Sequence, residues 1–483
     1  MQELTKLGIA EILNDWNYWN RDFEEYVPRT EYLNKIRRFR RSGEIIVLTG
    51  IRRSGKSTLL KLEMQDLAHS VGKEALLYIN FEDARFSEAL DTWTLDQIFE
   101  TYRETINPEG DVYIFLDEVQ NVDGWEKWVR TAYELKKAKI YVTGSSSKLL
   151  SGEIATSISG RYLQLDVYPL TFREFLSFQN VECKNIMDYS AKKIEIHRLF
   201  TEYLRYGGFP RVAMVDEDLK KEELLSYFHT ILLKDILARF RIRNFEKLKR
   251  LVEYLLTNDT KQNSINSITR ALRYNYETVE DYMDYLRQVY MVFELRNFNY
   301  SLKKQLLSDT KYYAIDTGFV NAVSFSFSQN IGRLYENVVF NELMRRGTPI
   351  FFLIEGGYEC DFVVQGGGGL EDGAQTDSAQ EDVAQTDSAQ EDVAQNDSVQ
   401  EDVAQNDSVQ EGNFVTGAYQ VCYDLNEQNM QREVSGLAMA CRKFGLGKGY
   451  IITESTTKTV KEDGVEIRVV PITVFLLGLV DQV

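Results

Sequence analysis

The apolar run Ile45-Ile46-Val47-Leu48 leads into GIRRSGKST, Gly50 to Thr58, and on into Leu59-Leu60-Lys61-Leu62. This fits G-x-x-x-x-G-K-[ST] in the setting the pattern needs: a buried strand, a glycine-bounded turn, then the first turn of a helix. The spacing has a physical reason. Gly50 and Gly55 let the backbone curl so that successive N–H groups of Ile51, Arg52, Arg53 and Ser54 face one phosphate, and a helix opening near Lys56 adds its positive end. Lys56 can then reach the β and γ phosphates, Ser57 can ligate magnesium, and Thr58 completes the first turn. A chance match in a basic turn is the competing reading, and the flanking strand and helix argue against it.

From Glu44 to about Asp166, short apolar strands alternate with amphipathic helices, the pattern of a mostly parallel sheet covered on both faces. The expected strands are Ile45 to Thr49, Ala75 to Asn80, Val112 to Leu116, Ile140 to Thr143 and Tyr162 to Leu165. The third runs into Asp117-Glu118, which places two carboxylates at the sheet's carboxyl edge, where ligands of open α/β sheets bind. Asp117 is the expected magnesium holder opposite Ser57, and Glu118 the group that orients or deprotonates the attacking water. The fourth brings Thr143, Ser145 and Ser146 to the same edge, and Ser145 is a candidate sensor of the γ-phosphate, a plain turn being the alternative. Gly160-Arg161 precedes the fifth strand. Arg161 is a candidate source of transition-state charge, in its own site or a neighbour's.

Together GIRRSGKSTLL, the DEVQ strand, TGSSSKLL, the SGRY step, YPLTFREFL and YGGFP resemble the AAA-type P-loop ATPases of bacteria and archaea that carry an arginine pair, here Arg52-Arg53, inside the phosphate loop. The resemblance implies an α/β core with sheet order 5-1-4-3-2, ATP and Mg2+ as cofactors, and ATP hydrolysis. It also implies that a second copy of the chain could complete the site.

The remaining chain divides by composition and pattern. Residues 1–42 read as a helical segment ending in the basic run Ile36 to Arg41, 43–169 as the ATPase core, and 170–244 as a helical lid. Residues 245–325 have the helix, helix, turn, helix, strand order of a winged helix-turn-helix. Its third helix carries Glu277, Glu280, Asp281 and Asp284, charges that oppose insertion beside phosphates, so a structural or protein-contact role is favoured over DNA reading. Residues 326–483 read as a restriction-endonuclease-like α/β domain. By that resemblance its metal site would fall on Glu336, Asp361, Gln420 and Cys422, where Gln-Val-Cys replaces the acid-x-Lys pair; a degenerate, non-cleaving site is the favoured reading. The tail also looks like the domain of unknown function that follows such cores.

Residues 371–410 are four copies of a ten-residue unit with twelve acids and no base, and setting them aside takes the formal charge from −18 to −6. Global charge therefore decides nothing about partners. This repeat lies in an expected disordered loop, 366–413. Four cysteines without CxxC spacing and three scattered histidines argue against zinc and for a reducing compartment. No apolar stretch approaches the length of a membrane span. The expectation is a cytoplasmic protein that hydrolyses ATP and moves its C-terminal modules, with a DNA or protein client. A slow nucleotide-dependent switch and an ATP-controlled nuclease are the alternatives.

Overall fold

A computed structural model describes residues 5–86, 90–146, 158, 160–324, 331–366 and 415–482. The acidic repeat therefore lies outside the described residues, as do Ser147 to Leu150 of the TGSSSKLL stretch.

The N-terminal part comprises α1 (Lys6–Trp16), α2 (Thr30–Arg40), β1 (Ile45–Thr49), α3 (Lys56–Val71), β2 (Leu76–Asn80), α4 (Thr92–Thr105), β3 (Tyr113–Asp117), α5 (Trp125–Glu134), β4 (Lys139–Gly144) and β5 (Tyr162–Asp166). The five strands form one parallel sheet in the order β2-β3-β4-β1-β5. Strand periodicity sends alternate side chains to opposite faces. Ile45, Val47, Ile114 and Leu116 pack with Ile9, Leu95, Trp125 and Val129 on the face covered by α1, α4 and α5. Ile46, Leu48, Tyr113 and Phe115 pack with Leu33, Leu59, Leu60 and Met64 on the face covered by α2 and α3. The basic run on α2 is held against α3, where Arg37 meets Asp66 and Arg40 meets Glu63 and Asp66.

After β5 the chain is helical. Phe172–Phe178 opens with a reciprocal capping box between Thr171 and Glu174, and the run from Glu217–Thr230 continues into a π-helical stretch, Ile231–Ala238. Helices Phe245–Thr257, Ile265–Leu272 and Tyr276–Gln288 follow, then antiparallel strands Val292–Arg296 and Thr310–Ala314, with Gln262–Asn263 as the third strand of that sheet. On the third helix Glu277, Glu280 and Asp281 are exposed. A six-stranded sheet closes the molecule, in the order Ile350–Glu355, Tyr358–Gln365, Val415–Val421, Lys448–Thr453, Val465–Pro471, Lys458–Glu462.

One apolar cluster runs from Leu170 and Phe172 through Leu251, Leu286 and Tyr313 to Ile452 and Phe475. The cluster thus takes residues from 170–244, from 245–324 and from beyond 330. The glycines of YGGFP show how it is locked. Gly208 N–H donates to Asp316 Oδ2 at 2.7 Å, and Leu170 N–H donates to Gly208 O at 2.6 Å. Gly207 has φ 75°, and a Cβ there would stand 1.6 Å from Asp316 Oδ1, so no larger residue fits.

Burial pushes the Asp316 carboxyl up to about 6, against the Gly208 and Gly318 N–H groups that favour its ionised form. Because the folded value lies above the unfolded one, the stabilisation is present below about pH 4 and is lost as pH rises through about 6. Over that interval the wild type is expected to lose about 3 kcal/mol relative to Asp316→Asn. Thermal midpoints of both proteins from pH 4 to 7 check this; a constant difference would mean that the buried carboxyl ionises as freely as in the unfolded chain.

Candidate functional site

The phosphate loop joins β1 to α3. At Gly50 (φ 141°) a Cβ would stand 2.1 Å from Val167 O, so only glycine passes there. Gly55, in the left-handed region, caps α3, and no side chain caps that helix, which leaves the N–H groups of its first turn open to an anion. Ser54 Oγ is buried without a hydrogen-bond partner. Lys56 Nζ folds back onto the loop, donating to Gly50 O at 2.9 Å and Ile51 O at 3.1 Å. Burial lowers its pKa, opposed by Glu118 and Asp117. Ser57 and Thr58 follow on the first turn of α3, half-buried. An open helix terminus, a lysine resting on carbonyls and an orphaned hydroxyl fit a nucleotide phosphate.

Asp117 ends β3 at the same edge. Its carboxylate accepts from Tyr78 OH at 2.6 Å and from Thr143 Oγ1, and Thr143 in turn accepts from the Glu118 N–H at 2.9 Å. Thr143 thus fixes both acids at once. Glu118 is a non-glycine residue in the left-handed region (φ 55°), a conformation that turns its side chain out of strand register. Burial raises its pKa, with Asp117 adding to the shift and Lys56 opposing it. Ser145 reaches the edge too, and its Oγ donates to Asp235 Oδ1 at 3.2 Å.

Arg161 stands elsewhere. It immediately precedes β5, whose Asp166 end pairs with Thr49 beside the loop, so about 16 Å of extended chain separates Arg161 from the phosphate-loop edge. Its guanidinium meets Glu134 at 3.1 Å. A role for Arg161 in its own chain's site is corrected by this placement.

In the C-terminal sheet Glu336 and Asp361 do converge, but Gln420 and Cys422 do not join them as ligands. Gln420 is occupied by the Asp361 N–H and by Glu433. Its strand ends at Val421, and Cys422 turns to Asp424 O and Asn429. Lys311 fills the space, with Nζ at 3.0 Å from Glu336, 2.8 Å from Glu359 and 3.3 Å from Asp361. Among the described residues no group of three or more His, Cys, Asp and Glu side chains is arranged to hold a metal ion. No helix among them is long and apolar enough to cross a membrane.

Three residues near these sites carry weight that the sequence reading missed. Arg29 donates to Ser54 O and Tyr168 O, both at 2.9 Å, and to both oxygens of Glu174 at 2.8 Å. Asp235 and Lys311 are the others. Each of those two is a charge set in or beside an apolar run, ILLKDILA and KYYAI, a signal that a buried partner must exist.

The family profile described as "AAA domain" matches residues 42–176, and that described as "Domain of unknown function (DUF8612)" matches residues 197–330. An uncharacterized protein of Methanocaldococcus jannaschii is 36% identical over 366 residues, 74% of this chain and 77% of its own length. An uncharacterized protein of Haemophilus influenzae is 32% identical over 329 residues, 66% of this chain and 79% of its own. Among solved structures, the Aeropyrum pernix ORC1 protein in complex with DNA overlies 62% of this chain and 94% of its own at 12% identity and a TM-score of 0.28, too loose a match to carry an argument. The chain belongs to the same family as these two uncharacterized proteins, a family whose phosphate-loop part is an AAA domain.

Proposed function

We propose that this chain binds ATP with magnesium and hydrolyses it, and that the nucleotide state is passed to the modules after β5. The observation that carries the reading is the meeting, at one sheet edge, of a glycine-shaped phosphate loop with the paired acids Asp117 and Glu118. Lys56 would exchange the Gly50 and Ile51 carbonyls for phosphate oxygens. Ser57 and Asp117 would hold magnesium, which when bound neutralises charge on the phosphates. Tyr78 and Thr143 keep the Asp117 carboxylate oriented for this. Glu118, buried and with a raised pKa, suits the acceptance of a proton from water.

Coupling is supported by hydrogen bonds that leave the nucleotide edge. Asp166 Oδ1 accepts from Thr49 Oγ1 at 2.6 Å and from Tyr290 OH at 2.7 Å, so the strand feeding the phosphate loop is tied to the turn between Tyr276–Gln288 and Val292–Arg296. That region has the element order of a winged helix, and its exposed acidic helix favours a protein client over DNA. Cytoplasmic placement remains part of this proposal.

Lys56→Ala is expected to lower phosphate release by about 100-fold or more, and Glu118→Gln by about 100-fold with ATP binding retained. Parallel phosphate-release and binding assays check both, and release at the wild-type rate in the two variants would remove the ATPase reading. The DNA-nuclease alternative is tested alongside: no magnesium-dependent DNA cutting that Asp361→Ala abolishes is expected.

Arg161, placed away from its own site, is proposed to serve a neighbouring copy. Mixing Lys56→Ala with Arg161→Ala chains should then regain phosphate release that neither shows alone. A silent mixture counts against action between copies.

A further inference from the structure

The arginine pair inside the phosphate loop has no part in the hydrolytic steps above, and both arginines are held by the helical segment after β5. Arg53, exposed and in the left-handed region, lies over the Tyr227 ring at 5.4 Å. Arg52 is gripped more firmly. Its Nε donates to Asp235 Oδ2 at 2.9 Å and its Nη2 to Asp235 Oδ1 at 2.8 Å, while Nη1 donates to Glu82 at 2.8 Å. Asp235 Oδ1 also accepts from Ser145 Oγ. Thus one carboxylate holds both the loop arginine and the serine at the end of β4.

The location of this pair is what gives it meaning. Arg52 lies within electrostatic reach of Glu118 and Lys56, and its charge lowers the proton affinity of both. Through Asp235 its guanidinium is joined to Ser145, which follows β4 at the sheet edge where β1 runs into the phosphate loop. A cavity of 670 Å³ opens there, with Arg52, Gln120, Ser145, Lys234 and Asp235 in its wall. Asp235 itself is 6% exposed and sits in the π-helical stretch Ile231–Ala238, a rare helix form found frequently at functional sites. An arginine fork accepts carboxylate and phosphate oxygens in the same geometry, so the two compete for one guanidinium.

We propose that Asp235 and the γ-phosphate of a bound nucleoside triphosphate compete for Arg52 and Ser145, so that a triphosphate displaces Asp235 whereas a diphosphate does not. Asp235 is then a positioning residue through which the chain distinguishes ATP from ADP. Its release would free the π-helical stretch from the loop, and hydrolysis would let it return. This rests on the phosphate-loop reading given above.

The test is calorimetric titration of ATPγS and of ADP, each with magnesium, into the full-length wild type, Asp235→Asn, Asp235→Glu and Arg52→Gln. Removing the competing charge in Asp235→Asn is expected to tighten ATPγS by about tenfold, with ADP affinity changing less than about twofold. Asp235→Glu should keep the wild-type ratio, and Arg52→Gln should bring ATPγS close to ADP. A purely structural Asp235 would move both nucleotides together, and that result overturns the proposal, as does weaker ATPγS binding to Asp235→Asn. Should Asp235→Asn not fold, Arg52→Gln decides, since an unchanged ratio there is equally fatal. A wild type that binds neither nucleotide removes the phosphate-loop reading itself. Binding and hydrolysis with an unmoved ratio in Asp235→Asn removes only the role of Asp235.

Discussion

The guanidinium of Arg29 holds the phosphate loop in place. A loop with two glycines and Arg53 at positive φ gains little from its own backbone hydrogen bonds and must be held from outside. Arg29 does this by donating to Ser54 O within the loop, to Tyr168 O and Pro169 O where the chain leaves the sheet, and to Glu174 in the first turn of the next helix. Glu174 is also the reciprocal partner in that helix's capping box. The loop, the exit from β5 and the first helix beyond it are therefore fixed by one buried ion pair. Removing one partner of such a pair leaves a buried charge unpaired, at a cost of about 3–5 kcal/mol.

A second tie joins the strand that feeds the phosphate loop to the module that follows Tyr276–Gln288. Asp166 stands beside Thr49 at the point where β1 becomes the phosphate loop, and Tyr290 reaches it from the far module. Tyr290 has a positive φ and is largely buried, so its side chain is aimed by the backbone and has little freedom to swing away. In the proposed coupling, a shift of the loop that moved Asp166 would cost the Tyr290 hydrogen bond unless Tyr290 followed. The shared apolar core from Leu170 to Phe475 would then spread such a shift over packed side chains, which do not deform continuously.

Much of the N-terminal part was legible in the sequence because its signals are local. The strand, glycine turn and helix around Lys56 occupy adjacent residues, and Asp117-Glu118 directly ends an apolar strand. What escaped was long-range. Arg29 meets Glu174 across 145 residues, and Arg52 meets Asp235 across 183, distances over which no periodicity carries information. For Arg161 strand direction decides between the two expected roles: it starts β5, at the end opposite Asp166, which leaves the role in a neighbouring copy as the proposal. The hairpin of Lys458–Glu462 and Val465–Pro471 was passed over although its Asp463-Gly464 turn, both residues at positive φ, is the strongest short-range hairpin signal.

In the C-terminal part a lysine from another sheet stands among the acids Glu336, Glu359 and Asp361. Cys422 stands where the family resemblance would place lysine, and the lysine comes instead from Lys311, on the strand Thr310–Ala314 of a different sheet. Its three N–H groups face three carboxylates. Burial opposes the ammonium, but Glu336, Asp361 and Glu359 hold its pKa well above the usual lysine value. Three acids exceed one ammonium, so burial together with Glu336 and Glu359 pushes Asp361 up to about 7 in spite of Lys311. The resident lysine thus offsets part of the charge of the three acids. A divalent cation entering there would have to expel the ammonium, which would be left buried at the junction of two sheets.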